Sequence, residues 1–162
     1  MYIIAGSTGT LGSAIAAELA KNHDIFLIGR DESKLKTQSD KYNCKYEVID
    51  LANTPEPREF SKIIDQEVEI TGLVNCIGSI LIKPLHGTSL DEFNDVITTN
   101  LFSSYFLLAS FARRMKNGSA VFFSSVATEL EENTVHISSP YSEKVLTIPS
   151  THQQLGFDHL NK

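Results

Sequence analysis

Short apolar runs that alternate with longer amphipathic stretches constrain this chain more than any other feature. "YIIAG" (2–6), "DIFLIGR" (24–30), "KYEVIDL" (45–51), "GLVNCIG" (72–78) and "SAVFFSS" (119–125) have strand length, and most are apolar on successive positions. A strand that is apolar on both sides needs cover on both sides. Between the runs lie stretches with helical character. These are "LGSAIAAELAKN" (11–22), "ESKLKTQSDKY" with Asp31 as its N-cap, and "TPEPREFSKIIDQ" with Thr54 as cap and Pro55 at the first helical position. Ser89 and Glu92 have capping-box spacing at the start of a further helix, and a long apolar-faced helix is expected over 98–116. Strand–helix alternation implies right-handed crossovers and a parallel sheet. The expected fold class is α/β, a doubly wound parallel sheet with strand order 3-2-1-4-5.

After residue 130 the pattern weakens. A short helix over 140–146, capped by Ser139, and then a loose tail are expected. The chain reads as one domain, with residues 1–130 as its main body and 131–162 as a divergent end.

Charge and composition exclude several classes. The net charge of −6 opposes general nucleic-acid binding, which needs a basic face. No apolar run reaches the roughly 18 residues that would span a membrane. "YIIAG" follows Met1 without a basic segment, so no secretory signal is expected and a cytoplasmic protein is. Cys44 and Cys76 read as reduced thiols, and the five scattered histidines have no ligand spacing, so no metal is expected.

"AGSTGTLG" (5–12) stands where the first strand turns into the first helix. Gly6 permits the tight turn, Gly9 leaves room for a pyrophosphate, and Gly12 lets helix and strand approach. The helix start then offers N–H groups and a positive dipole end to phosphate. The spacing is G-x-x-G-x-x-G rather than G-x-G-x-x-G.

With these residues the chain resembles the short-chain dehydrogenase/reductase family, whose nucleotide domain is Rossmann-like. "GSTGTLG" is similar to the family's glycine loop, with Thr10 in place of one glycine and Gly9 one position early. "NCIG" (75–78) resembles the family's N-N-A-G. "TTNLFSSYF" (98–106) resembles the helix with the active-site asparagine, here Asn100. "VFFSSVA" (121–127) resembles the strand with the catalytic serine, here Ser125. Asp50 and Leu51 match the pair that contacts adenine. The resemblance covers about residues 1–128. The strands and helices that family members place later, including the substrate loop, are not expected, as in a truncated or frame-altered product.

The resemblance implies an NAD(P)-dependent oxidoreductase moving a hydride between a nicotinamide and a small-molecule carbonyl or alcohol. NAD-preferring folds end the second strand near an acid that bonds the ribose. Here "IGR" puts Arg30 there, suited to a 2′-phosphate, so NADP(H) is preferred over NAD(H). Asp31 reads as a helix cap. The cofactor candidates are Gly6, Ser7, Thr8, Gly9, Leu11, Gly12, Arg30, Asp50, Leu51 and Asn75.

The catalytic candidates implied are Asn100, Ser125, Tyr141 and Lys144. A tyrosine with an ordinary pKa of about 10 needs a nearby cation to serve as acid or base at neutral pH. The family spacing is Y-x-x-x-K, but here Lys144 follows Tyr141 by three residues. On a helix that moves the lysine from about 40° to about 60° on the opposite side and removes about 1.5 Å of rise. Other readings stand beside the enzyme: a non-catalytic NADP(H)-binding sensor or partner-binding module, and an inactive remnant. The resemblance also implies a homo-oligomer through the 98–116 helix. The fifth strand is expected to be an open edge.

Overall fold

The structure, a computed structural model, describes residues 1–50, 54–115, 117–124 and 144–149. Five parallel strands form the body: β1 (Tyr2–Ala5), β2 (Ile25–Gly29), β3 (Lys45–Val48), β4 (Gly72–Asn75) and β5 (Ser119–Ser124). Their order is 3-2-1-4-5, as expected, and a sixth strand, β6 (Lys144–Pro149), lies beside β5. Ala5 stands level with Ile28 on one side and Asn75 on the other, so the central strands end together.

The continuous apolar runs divide by parity between two cores. Ile3, Ala5, Phe26, Ile28 and Leu73 join one, with Phe60, Phe106, Leu107 and Phe111 from the helices over that face. Ile4, Ile25 and Leu27 join the other, with Ala16 and Leu35. The helices involved are α1 (Thr10–Leu19), α2 (Glu32–Tyr42), α3 (Pro57–Phe60) and α5 (Ser103–Phe111). Burial on both faces explains why these strands carry no alternating pattern.

Two helix expectations shift. The stretch from Thr54 begins as helix at Pro57, because proline drives the residue before it out of the helical region, and Glu56 is extended at φ −57°, ψ 140°. Pro57 itself suits the first helical position, where its missing N–H has no partner to lose. The capping box of Ser89 and Glu92 is formed and opens α4 (Leu90–Ile97). The helix then does not restart at residue 98. A π-helical turn, Thr98–Phe102, joins α4 to α5 without a break, and a 3-10 turn, Ala112–Arg114, ends the run. Phe106 and Phe111 are buried, whereas Leu101 and Tyr105 are each 63% exposed. Arg114 anchors the far end, donating to the carbonyls of Ser61, Ile64, Asp65 and Val68 at 2.8, 3.1, 2.5 and 3.3 Å.

The end of the chain departs most from expectation. β6 runs antiparallel to β5, with Ser119 beside Pro149 and Ser124 beside Lys144. Residues 144–146 are therefore strand rather than the close of a helix, and β5 is paired on both sides rather than an edge. Val145, Leu146, Thr147 and Ile148 supply consecutive strand formers, and the open side of β5 offers unpaired backbone groups that they satisfy. Residues 140–143 and the Ser139 cap lie outside the described residues, as does the tail after 150. Among the described residues no helix is long and apolar enough to cross a membrane.

Candidate nucleotide-binding site

β1 and β4 are neighbours, yet the chain leaves β1 toward β2 on one side and β4 toward β5 on the other. The loops that follow these strands diverge, which opens a crevice at the carboxyl edge of the sheet. Ligands bind at such a switch point in open α/β sheets. The crevice has a volume of about 690 Å³. One wall is the loop after β1, with Gly6, Thr8 and Gly9. The opposite wall is the loop after β4, residues 76–79, with Asp95, Thr98 and Thr99 beyond it. Arg30, Asp31 and Lys34 line one end, near Ile49 and Asp50.

The three glycines of the loop have different causes. Gly6 has φ +74°, and an added Cβ would lie 2.8 Å from the Cys76 carbonyl carbon. At Gly12 a Cβ would lie 2.2 Å from the Gly6 oxygen. The fold itself demands both. Gly9 is extended at φ −79°, ψ 170°, and a Cβ there would find only the Gly6 oxygen, at 3.4 Å. Packing does not require glycine at that position, but the crevice uses the space. Gly9 is also the N-cap of α1, no side chain caps that end, and no acid stands in the first turn. Uncapped N–H groups and an unopposed positive dipole end suit a phosphate. These residues fit the diphosphate of a dinucleotide.

Behind this wall, Ser7 is fully buried and its hydroxyl finds no partner among the described residues. Its carbonyl accepts from Gln38 Nε2 at 2.9 Å, which ties α2 to the loop. Leu11 and Gly12 sit on α1 next to the loop rather than on the crevice wall. Arg30 is exposed at the rim and makes no hydrogen bond or ion pair among the described residues. Asp31 caps α2, accepting from the Lys34 N–H at 3.0 Å. That N–H, helped by the Lys34 ammonium, holds the Asp31 carboxyl below its ordinary range.

The opposite wall is braced from beneath. Asn75 is buried, donates to Ser103 Oγ at 3.1 Å and Ser104 Oγ at 3.0 Å, and accepts the Ile77 N–H at 3.0 Å. It fixes the loop against α5. Asn100 sits in the π turn, where an extra residue interrupts the helical ladder, a feature frequent at functional sites. Its side chain accepts from the Ser79 N–H at 2.8 Å and donates to the Ser79 carbonyl at 2.9 Å. Both ends of that amide are engaged in shaping the wall, and Ser104 Oγ donates to the Asn100 carbonyl at 3.3 Å. Burial pushes the Cys76 thiol up to about 12, so it stays protonated at neutral pH.

Of the candidates read from sequence, Gly6, Thr8, Gly9, Arg30 and Asp50 meet in the crevice, and Asn75 and Asn100 support its far wall. Leu51, Ser125 and Tyr141 lie outside the described residues. Lys144 is on β6, level with Ser124, at the carboxyl end of β5. Reading the sequence missed Lys34, Gln38 and Asp95. Lys34 and Gln38 looked like the solvated face of a polar helix. The signal was their spacing of four, which puts them on one face behind Arg30.

Fold and crevice together define a doubly wound α/β protein with a candidate nucleotide site at its switch point. Residues 1–142 match the family described as short chain dehydrogenase, and the chain belongs to that family. It is 31% identical over 109 residues to a very-long-chain 3-oxoacyl-CoA reductase of Aspergillus oryzae, covering 60% of this chain and 32% of that protein. It is 29% identical over 139 residues to a 3-oxoacyl-(acyl-carrier-protein) reductase of Buchnera aphidicola, covering 79% of this chain and 56% of that one. A solved structure of a 3-oxoacyl-(acyl-carrier-protein) reductase from Agrobacterium tumefaciens, with NADP bound, superposes with a TM-score of 0.68. It is 19% identical and is matched over 77% of this chain and 52% of its own. The chain thus spans between a third and just over half of the curated relatives described.

Proposed function

We propose that this chain binds NADP(H) in preference to NAD(H) as a short-chain oxidoreductase acting on a carbonyl or hydroxyl substrate. The observation that carries the reading is Arg30, a cation without a partner among the described residues, at the crevice end where NAD-preferring folds place an acid. The uncapped start of α1 holds the diphosphate, Gly9 gives it room, and Asp50 with Leu51 flanks the adenine. The coenzyme, when bound, supplies or accepts the hydride. Ser125 orients the substrate oxygen and Tyr141 exchanges its proton. Lys144 favours the phenolate by its charge, and Asn100 holds a relay water near the lysine. The two curated relatives reduce 3-oxoacyl groups by name, which makes a 3-oxoacyl thioester the first substrate to try. The exposed Leu101 and Tyr105 support association of two copies through the 98–116 helix, and we place the protein in the cytoplasm.

One observation favours a second reading. Lys144 lies on a strand rather than on the helix expected to carry it, which suits a coenzyme-binding module without turnover. Titration of the full chain with NADPH and NADH, followed by turnover of a 3-oxoacyl thioester, separates the two. Turnover that vanishes in Tyr141→Phe while NADPH affinity holds supports the enzyme. Binding without turnover supports the module. If neither coenzyme binds, both readings fall.

A further inference from the structure

Arg30 is not the lone cation at its end of the crevice. Lys34 lines the same space one helical turn on, and its ammonium lies 3.3 Å from the Asp31 carboxylate. The Lys34 side chain is 69% exposed and that of Asp31 41%, so solvent screens the pair and it is readily exchanged. Asp31 does not depend on it. Its other oxygen accepts the Lys34 backbone N–H at 3.0 Å, and that cap persists if the ammonium turns away. The helix that carries Lys34 is also fixed in place. Gln38, four residues further on the same face, donates to the Ser7 carbonyl of the glycine loop at 2.9 Å. Leu35 between them is fully buried.

We propose that Lys34 is a specificity-determining residue for a 2′-phosphorylated adenosine, and that it exchanges Asp31 for the phosphate when the ligand enters. This rests on the reading of the crevice as an NADP(H) site. A phosphate monoester carries about −1.5 to −2 charge at neutral pH and three acceptor oxygens, so it outcompetes one exposed carboxylate for the ammonium. Arg30 and Lys34 then hold the phosphate from two sides. Asp31 acts in opposition: it competes for Lys34 and lowers affinity for the phosphorylated ligand alone.

The test is calorimetry on the full chain with 2′,5′-ADP and 5′-AMP, two probes that differ by the 2′-phosphate. Lys34→Gln is expected to weaken 2′,5′-ADP by about three- to tenfold and to leave 5′-AMP within about twofold. Asp31→Asn keeps a capping oxygen, since Asn caps as well as Asp, and is expected to tighten 2′,5′-ADP by about two- to threefold. In the double variant that gain disappears, because there is no ammonium left to release. Equal effects of Lys34→Gln on both probes overturn the proposal, as does a gain from Asp31→Asn that persists undiminished without Lys34. A wild-type chain that binds neither probe overturns the nucleotide reading itself.

Discussion

Replacing Gly9 and Gly12 separately with alanine divides what the fold needs from what the ligand needs. At Gly12 the new Cβ starts 2.2 Å from the Gly6 oxygen, far inside any contact a real Cβ makes. Either α1 moves away from the loop or the loop moves. Overpacking of this kind costs about 3 kcal/mol, and the helix propensity of alanine over glycine returns about 1 kcal/mol. The net loss of about 2 kcal/mol lowers Tm by about 4–8 °C in a chain of this size. At Gly9 the backbone is already in a region open to alanine, and the nearest atom is 3.4 Å away. Alanine for glycine at an N-cap costs about 0.5 kcal/mol, or about 1–2 °C. Yet Gly9 faces the crevice, and a methyl group there is expected to weaken NADPH by about tenfold or more, since it displaces the diphosphate from the N–H groups. Thermal melts by circular dichroism and coenzyme titration read the two effects independently. Equal Tm losses would refute the packing argument. A Gly9→Ala variant that binds NADPH as the wild type does would refute the placement of the diphosphate.

Cys76 is expected to resist iodoacetamide at pH 8 in the folded chain and to react once unfolded, because burial keeps it a thiol. Its pKa is raised from 9.0 to about 12, so its contribution is constant below pH 9 and is lost as the pH rises toward 12. Urea unfolding should show the wild type losing about 2 kcal/mol more than Cys76→Ala between pH 8.5 and 10.5; parallel curves would contradict this. Arg114→Ala removes the donor for four carbonyls and is expected to lower stability by about 2–3 kcal/mol, with little rescue by lysine, whose point charge cannot span them. Denaturant midpoints for the alanine and lysine variants check it. Asn75→Leu, which leaves the Ile77 N–H unbonded, should cost about 1–3 kcal/mol and weaken coenzyme binding, measured by melts and titration.

The sheet was legible because its central strands are buried on both sides and so are written as unbroken apolar runs, as in Ile25–Gly29. The glycine loop was legible because backbone contact distances leave no other residue at Gly6 and Gly12. Helix starts were legible where a side chain does the capping, at Asp31 and Ser89, and misplaced where the chain has two prolines in series, of which Pro57 and not Pro55 sets the start. The π turn could not be read, since one extra residue leaves the apolar pattern on either side intact. β6 could not either: "KVLTIP" has strand chemistry, but its neighbour β5 is some twenty positions away and only the folded sheet brings them together. In the site, Arg30 announced itself by standing where an acid is usual. Lys34 did not, because a charged residue on a polar helix means nothing until the helix is docked.

The π turn at Thr98–Phe102 has a consequence for how this molecule can vary. One added residue rotates everything before it by about 100° relative to everything after it. The segment that lines the crevice and the segment that fills the interior are therefore set to separate phases on one continuous rod. Insertion or deletion of a single residue at that joint would turn the rim of the crevice like a dial and leave Phe106 and Phe111 seated where they are.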